Sequence, residues 1–124
     1  MSLRILLTAA SLAALALPAA AQSRTAPADL LVDLAETLGR AHAVRTTCNG
    51  AQDSYWRNFM LNLMSIEAPS GSSLRPMLTD AFNRGYRGQN RETPTCTSEM
   101  PSIEASIARH GQDLTDSIAR SYLN

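Results

Sequence analysis

Residues 27–48 read PADLLVDLAETLGRAHAVRTTC, and the apolar positions in this stretch recur at helical spacing. Leu30, Leu34, Leu38 and Ala41 fall on one face, with Leu31 beside them. Pro27 stands ahead of the run, and Asp29 and Asp33 occupy early turns, where a helix dipole favours carboxylates. Cys48-Asn49-Gly50 punctuates its far side, so a helix is expected from Pro27 to about Thr47. No alternating strand pattern competes with it, and the chain reads as all-α.

Toward the C-terminus the same period returns three times. Asp53 or Ser54 can cap a second helix whose apolar face is Trp56, Phe59, Met60, Leu63 and Met64, and Ala68-Pro69-Ser70-Gly71 stops it. A third helix is expected from about Ser73 to Tyr86, with Leu74, Met77, Leu78, Ala81 and Phe82 facing inward. After a loop rich in Gly, Asn, Pro and Thr, Ser98 can cap a fourth helix, with Pro101 in its first turn and a seam of Ile103, Ile107, Leu114, Ile118 and Tyr122. The core expected from these phases is Leu34, Leu38, Phe59, Leu63, Leu78, Phe82, Ile107 and Leu114. Glu36 to Arg40, Asp80 to Arg84 and Asp116 to Arg120 are acid-then-base pairs four apart, the orientation that supports a helix. Gly39, Gly85 and Gly111 lie inside helical stretches and mark either close packing or a helix end.

Toward the N-terminus, residues 1–21 read as a cleavable export signal. Arg4 precedes the apolar run Ile5–Leu17, Pro18 breaks it, and Ala19-Ala20-Ala21 offers the small residues a signal peptidase accepts before Gln22. The run is shorter than the roughly 20 residues of a membrane-spanning helix. The expected organisation is therefore a signal peptide at 1–21, a short linker at 22–27 and one helical domain at 28–124, in a periplasmic or secreted protein with no transmembrane segment after cleavage. Without Arg4 the chain keeps ten arginines against eleven acidic residues. That near-neutral balance supplies no global field toward nucleic acid, which is not expected as a partner. Every basic residue is arginine, whose planar fork suits anions, although codon bias in a GC-rich genome accounts for the same composition.

In an oxidising compartment the two cysteines are most simply a Cys48–Cys96 disulfide. The spacing fits a four-helix up-down bundle, in which the break after helix one and the break before helix four lie at one end. No CxxCH, CxxC or zinc-type spacing is present, so no cofactor or metal is expected. The same topology gathers His42, Asp53 and Glu92 with the arginines near the disulfide. It leaves Glu67 at the opposite end, about 20 Å along helix two, too far to form a dyad with His42. A histidine at the end of a helix can be a base, a ligand or a favourable C-terminal charge. Trp56 with Arg57 can form a sugar-stacking platform, or Trp56 can be core.

The densest polar segment is Phe82-Asn83-Arg84-Gly85-Tyr86-Arg87-Gly88-Gln89-Asn90-Arg91. Three forked cations around an aromatic ring can present an anion site, or Phe82 and Tyr86 can be an ordinary core pair rimmed by solvated arginines. The ligand-binding candidates are Asn83, Arg84, Tyr86, Arg87, Arg91 and His42. Taken with Leu38-Gly39, His42, Arg45, Cys48, Trp56-Arg57, Met60, Glu67-Ala68 and Cys96, the AFNRGYRG stretch resembles a family of small exported proteobacterial proteins of unknown function. The resemblance implies export and a helical domain, and it implies no catalytic or binding residue. The function expected is a non-enzymatic envelope module that binds a partner protein or an anionic envelope ligand through its arginine-rich end. The alternative is an envelope hydrolase using His42 with Asp53 or Glu92.

Overall fold

The run after Pro27 does form a helix, and it is the hub of the molecule. A computed structural model describes residues 26–124 as α1 (Ala28–Asn49), α2 (Tyr55–Glu67), α3 (Leu74–Glu92) and α4 (Met100–Ser121). The export signal read at residues 1–21 lies outside the described residues. Each of the other helices packs on α1, most extensively α3, whereas α4 makes no backbone approach to α2 or α3. The expected four-helix domain is present, but its core is not shared equally among the helices. Ala35, Gly39, Ala41 and Ala43 are small enough to let neighbours approach sides of α1 that the leucine stripe does not mark. Burial consequently covers all but a narrow side, where Asp29, Asp33, Glu36 and Arg40 stand. Among the described residues no helix is long and apolar enough to cross a membrane.

Two glycines set the main crossing. A Cβ on Gly39 would run into the backbone carbonyl of Phe82, and a Cβ on Gly85 into that of Glu36, so α1 and α3 meet backbone to backbone. Gly111 has room: a Cβ there would make ordinary contacts with Thr37 and Leu34. Two hydrophobic clusters result. One joins Leu31, Leu34, Leu38, Met60, Met64, Leu78 and Ile118; the other joins Ala41, Val44, Met100 and Ile107.

Several expectations are corrected. Phe59 is 48% exposed and Met77 50%: α2 and α3 meet only briefly, and each residue borders an open hollow rather than the packed core. Leu63, Phe82 and Leu114 are half-buried rather than buried. α3 does not stop at Tyr86; it runs to Glu92, carried past Gly85 and Gly88 by a buried Gln89 that accepts from Arg40 Nε at 3.1 Å and donates to Thr93 at 3.1 Å. Pro94 forbids continuation beyond that point. α4 starts at Met100, with Glu99 rather than Ser98 at its N-cap. The spaced charge pairs do not form within helices. Glu36 instead accepts from Arg84 across the crossing at 3.0 Å, Arg40 reaches Glu92 at 3.9 Å, and Arg120 donates to Ser117.

Candidate functional site

Cys48 and Cys96 meet at disulfide distance, with Cα atoms 4.9 Å apart, which places the end of α1 beside the loop before α4. Around them a polar clamp ties four segments together. Arg45 Nε donates to both oxygens of Asp53 at 3.0 Å, and its Nη1 donates to Glu104 on α4 at 3.3 Å. Asn49 Nδ2 donates to Asp53 at 2.7 Å, and the Tyr55 amide donates to it at 3.1 Å; of the two expected caps, Ser54 holds the N-cap position of α2 without a side-chain cap bond, and Asp53 takes the first helical amide from one residue earlier. Trp56 Nε1 donates to Glu104 at 2.7 Å, and the Arg45 guanidinium lies over the Tyr55 ring at 4.7 Å. The bond from Arg45, followed by that from Asn49, holds the Asp53 carboxyl at about 2, below its ordinary 3.8. The acceptors of this clamp are occupied, and it acts as a structural joint.

His42 lies one turn before Arg45, under α3. Its ring is flanked by Phe82 and Tyr86 at centroid distances of 5.6 and 5.4 Å, and its buried Nδ1 has no hydrogen-bond partner. Burial lowers its pKa below 6.5, the positive charge of Arg57 lowers it further, and Asp53 opposes the shift. His42 hydrogen-bonds to neither of its proposed acid partners: Asp53 belongs to the clamp and Glu92 to Arg40. Glu67 is at the far end, where it accepts from Tyr122 at 2.6 Å.

The other candidates separate into two groups on α3. Tyr86 turns inward, its hydroxyl 3.4 Å from that of Thr46, as part of the α1 contact. Arg84, Arg87 and Arg91 share the outward face and are exposed. Arg87 and Arg91 stand on the helix itself rather than beyond its end, because α3 runs six residues past the expected Tyr86. Arg84 is occupied by Glu36, while Arg87 and Arg91 have no acidic partner among the described residues. Asn83 faces α2 and lines a cleft with Arg57, Met60, Leu61, Met64, Thr79 and Phe82. A second groove runs over α1 between α2 and α4, floored by Leu34, Leu38 and Ala41 and walled by Trp56, Phe59 and Ile107. Among the described residues no group of His, Cys, Asp and Glu is placed to hold a metal ion.

The α2–α3 cleft, Glu104 and the role of Gly39 were not evident from periodicity. Only the i, i+4 spacing of Arg57 with Leu61, and of Met60 with Met64, hinted that these two pairs lie along one side of α2.

A family model described as a protein of unknown function (DUF2385) matches residues 28–122, spanning all four helices. No curated protein and no solved structure matches the chain.

Proposed function

We propose that this chain, which belongs to the DUF2385 family, is an exported, non-enzymatic binding domain whose α3 arginine face takes an anionic partner in the cell envelope. The observation that carries this reading is the state of Arg87 and Arg91. Both are exposed on one helix face with no carboxylate among the described residues to neutralise them, whereas Arg40, Arg45 and Arg84 are each paired with at least one. The α3 dipole favours cations at its C-terminal end, which lowers the cost of placing arginines there and leaves their donors free for a ligand. The hydrolase alternative is less well supported, because a general base needs an orienting partner and an accessible proton to take, and His42 is enclosed by two rings. Export is supported by the sequence of residues 1–21.

Both parts can be tested in cells. A photo-crosslinker at Asn90 should capture a partner that the same probe at Asp116 on α4 does not. Arg87→Glu should abolish that capture at unchanged melting temperature, and the binding should weaken with salt. An unchanged crosslink pattern in the Arg84/Arg87/Arg91 triple alanine variant would show the face to be solvated surface. Residues 1–27 fused to a reporter active only outside the cytoplasm should give signal if the export reading holds.

A further inference from the structure

The cleft between α2 and α3 has an amphiphilic lining. Met60, Leu61, Met64 and Phe82 form its walls, Thr79 and Asn83 are its neutral polar groups, and Arg57 is the charged residue on it among the described residues, around a volume of about 250 Å³. Arg57 also lacks the partner its spacing would assign. Asp53 stands four residues earlier, but both of its oxygens are committed to Arg45, Asn49 and the Tyr55 amide. Among the described residues no carboxylate lines the cleft. A free cation at the mouth of an apolar slot complements a molecule that is anionic at one end and hydrocarbon along its length. Two methionines suit such a chain, because unbranched thioethers repack around ligands of varying shape. The other hollows lack this pairing. The α2–α4 groove is apolar but rimmed by neutral Thr37, Gln112 and Thr115, and the hollow at Asp33, Glu36, Arg40 and His110 is polar throughout.

We propose that the α2–α3 cleft binds a single anionic amphiphile, its carboxylate or phosphate head held by Arg57 and Asn83 and its chain laid over Met60, Leu61, Met64 and Phe82. The site does not depend on Arg87 or Arg91 and stands or falls separately from the reading of that face. The test is methionine-methyl NMR on the mature chain, titrated with decanoate and with decyl phosphate, both kept monomeric. Met60 and Met64 should shift while Met100, buried in the other cluster, stays in place. Whichever decyl anion binds more tightly identifies the head group. Arg57→Gln, a change at an exposed side chain, should weaken binding about tenfold or more, as loss of a charge-assisted bond implies, and Arg109→Ala on α4 should leave it unchanged. Three results would each overturn the proposal: decanol binding as well as decanoate, equal affinity in Arg57→Gln, or no shift at Met60 and Met64. Association with phosphatidylglycerol vesicles but with neither monomeric anion would do the same, pointing to a membrane surface instead of a cleft. Loss of partner capture in Arg87→Glu alone bears on the α3 face and not on this site.

Discussion

His42 has an imidazole with no partner for Nδ1 in a slot where protonation is penalised twice, by burial and by Arg57. In the unfolded chain it titrates near 6.5, and in the fold it titrates lower. Between those two values the unfolded state binds more protons, so stability rises with pH through that window and declines as pH drops below about 6.5. Melting curves from about pH 8 to about pH 5 should show this fall, and His42→Gln should flatten it. A wild-type melting temperature that ignores this range would mean that the ring titrates in the fold as it does in the unfolded chain. Asp53 acts in a separate window: its carboxyl is held at about 2 against an ordinary 3.8, so its contribution is lost only as pH falls from the higher value toward the lower. The end of the molecule on which His42 stands was legible from helix spacing. Its two ring neighbours were legible only as an i, i+4 pair on another helix, because period says which residues face inward and nothing about what they face.

The α1–α3 crossing depends on the absence of two methyl groups. Gly39→Ala and Gly85→Ala each drive a Cβ into an opposing carbonyl, which only separation of the helices can relieve, and each should cost about 2–4 kcal/mol in denaturant unfolding. Gly111→Ala is the contrasting case. Its new methyl group meets only ordinary neighbours, and it should be neutral or stabilise by up to about 1 kcal/mol through helix propensity. Equal losses at all three positions would show that propensity rather than the crossing sets the cost. The sequence identified these residues as packing sites or helix ends without distinguishing the two, because a glycine looks alike in both. The same ambiguity makes α3 read six residues short, at Tyr86 instead of Glu92. Phe59 reads as core for a related reason. α2 carries apolar residues on more than one side, and the side α1 takes is that of Met60 and Met64, which depends on how the helices are placed rather than on their own pattern.

At the scale of the whole molecule, the disulfide closes a loop with a sequence separation of 48, from the hub helix to the approach of α4. In the chain-entropy model such a closure contributes about 4 kcal/mol, a large part of the stability of a small domain. Reduction, or Cys48→Ser with Cys96→Ser, should lower the melting temperature markedly, and unreduced mature protein should yield no free thiol on labelling after denaturation. The pairing was legible because Cys48 closes the last turn of α1 and Cys96 falls in the loop before α4, two places that the up-down topology puts at one end. The hub was not, because an amphipathic stripe specifies one buried face while alanine and glycine are silent about the others. The hub arrangement also governs how damage spreads. α3 and α4 make no backbone approach to each other, and although Ile118 joins the cluster of Leu78, Ile107 lies in the other cluster, so Leu78 and Ile107 sit in separate parts of the core. The costs of Leu78→Ala and Ile107→Ala should sum to that of the double variant within about 0.5 kcal/mol. A larger coupling would mean that α1 shifts as one rigid rod and relays strain from one cluster to the other.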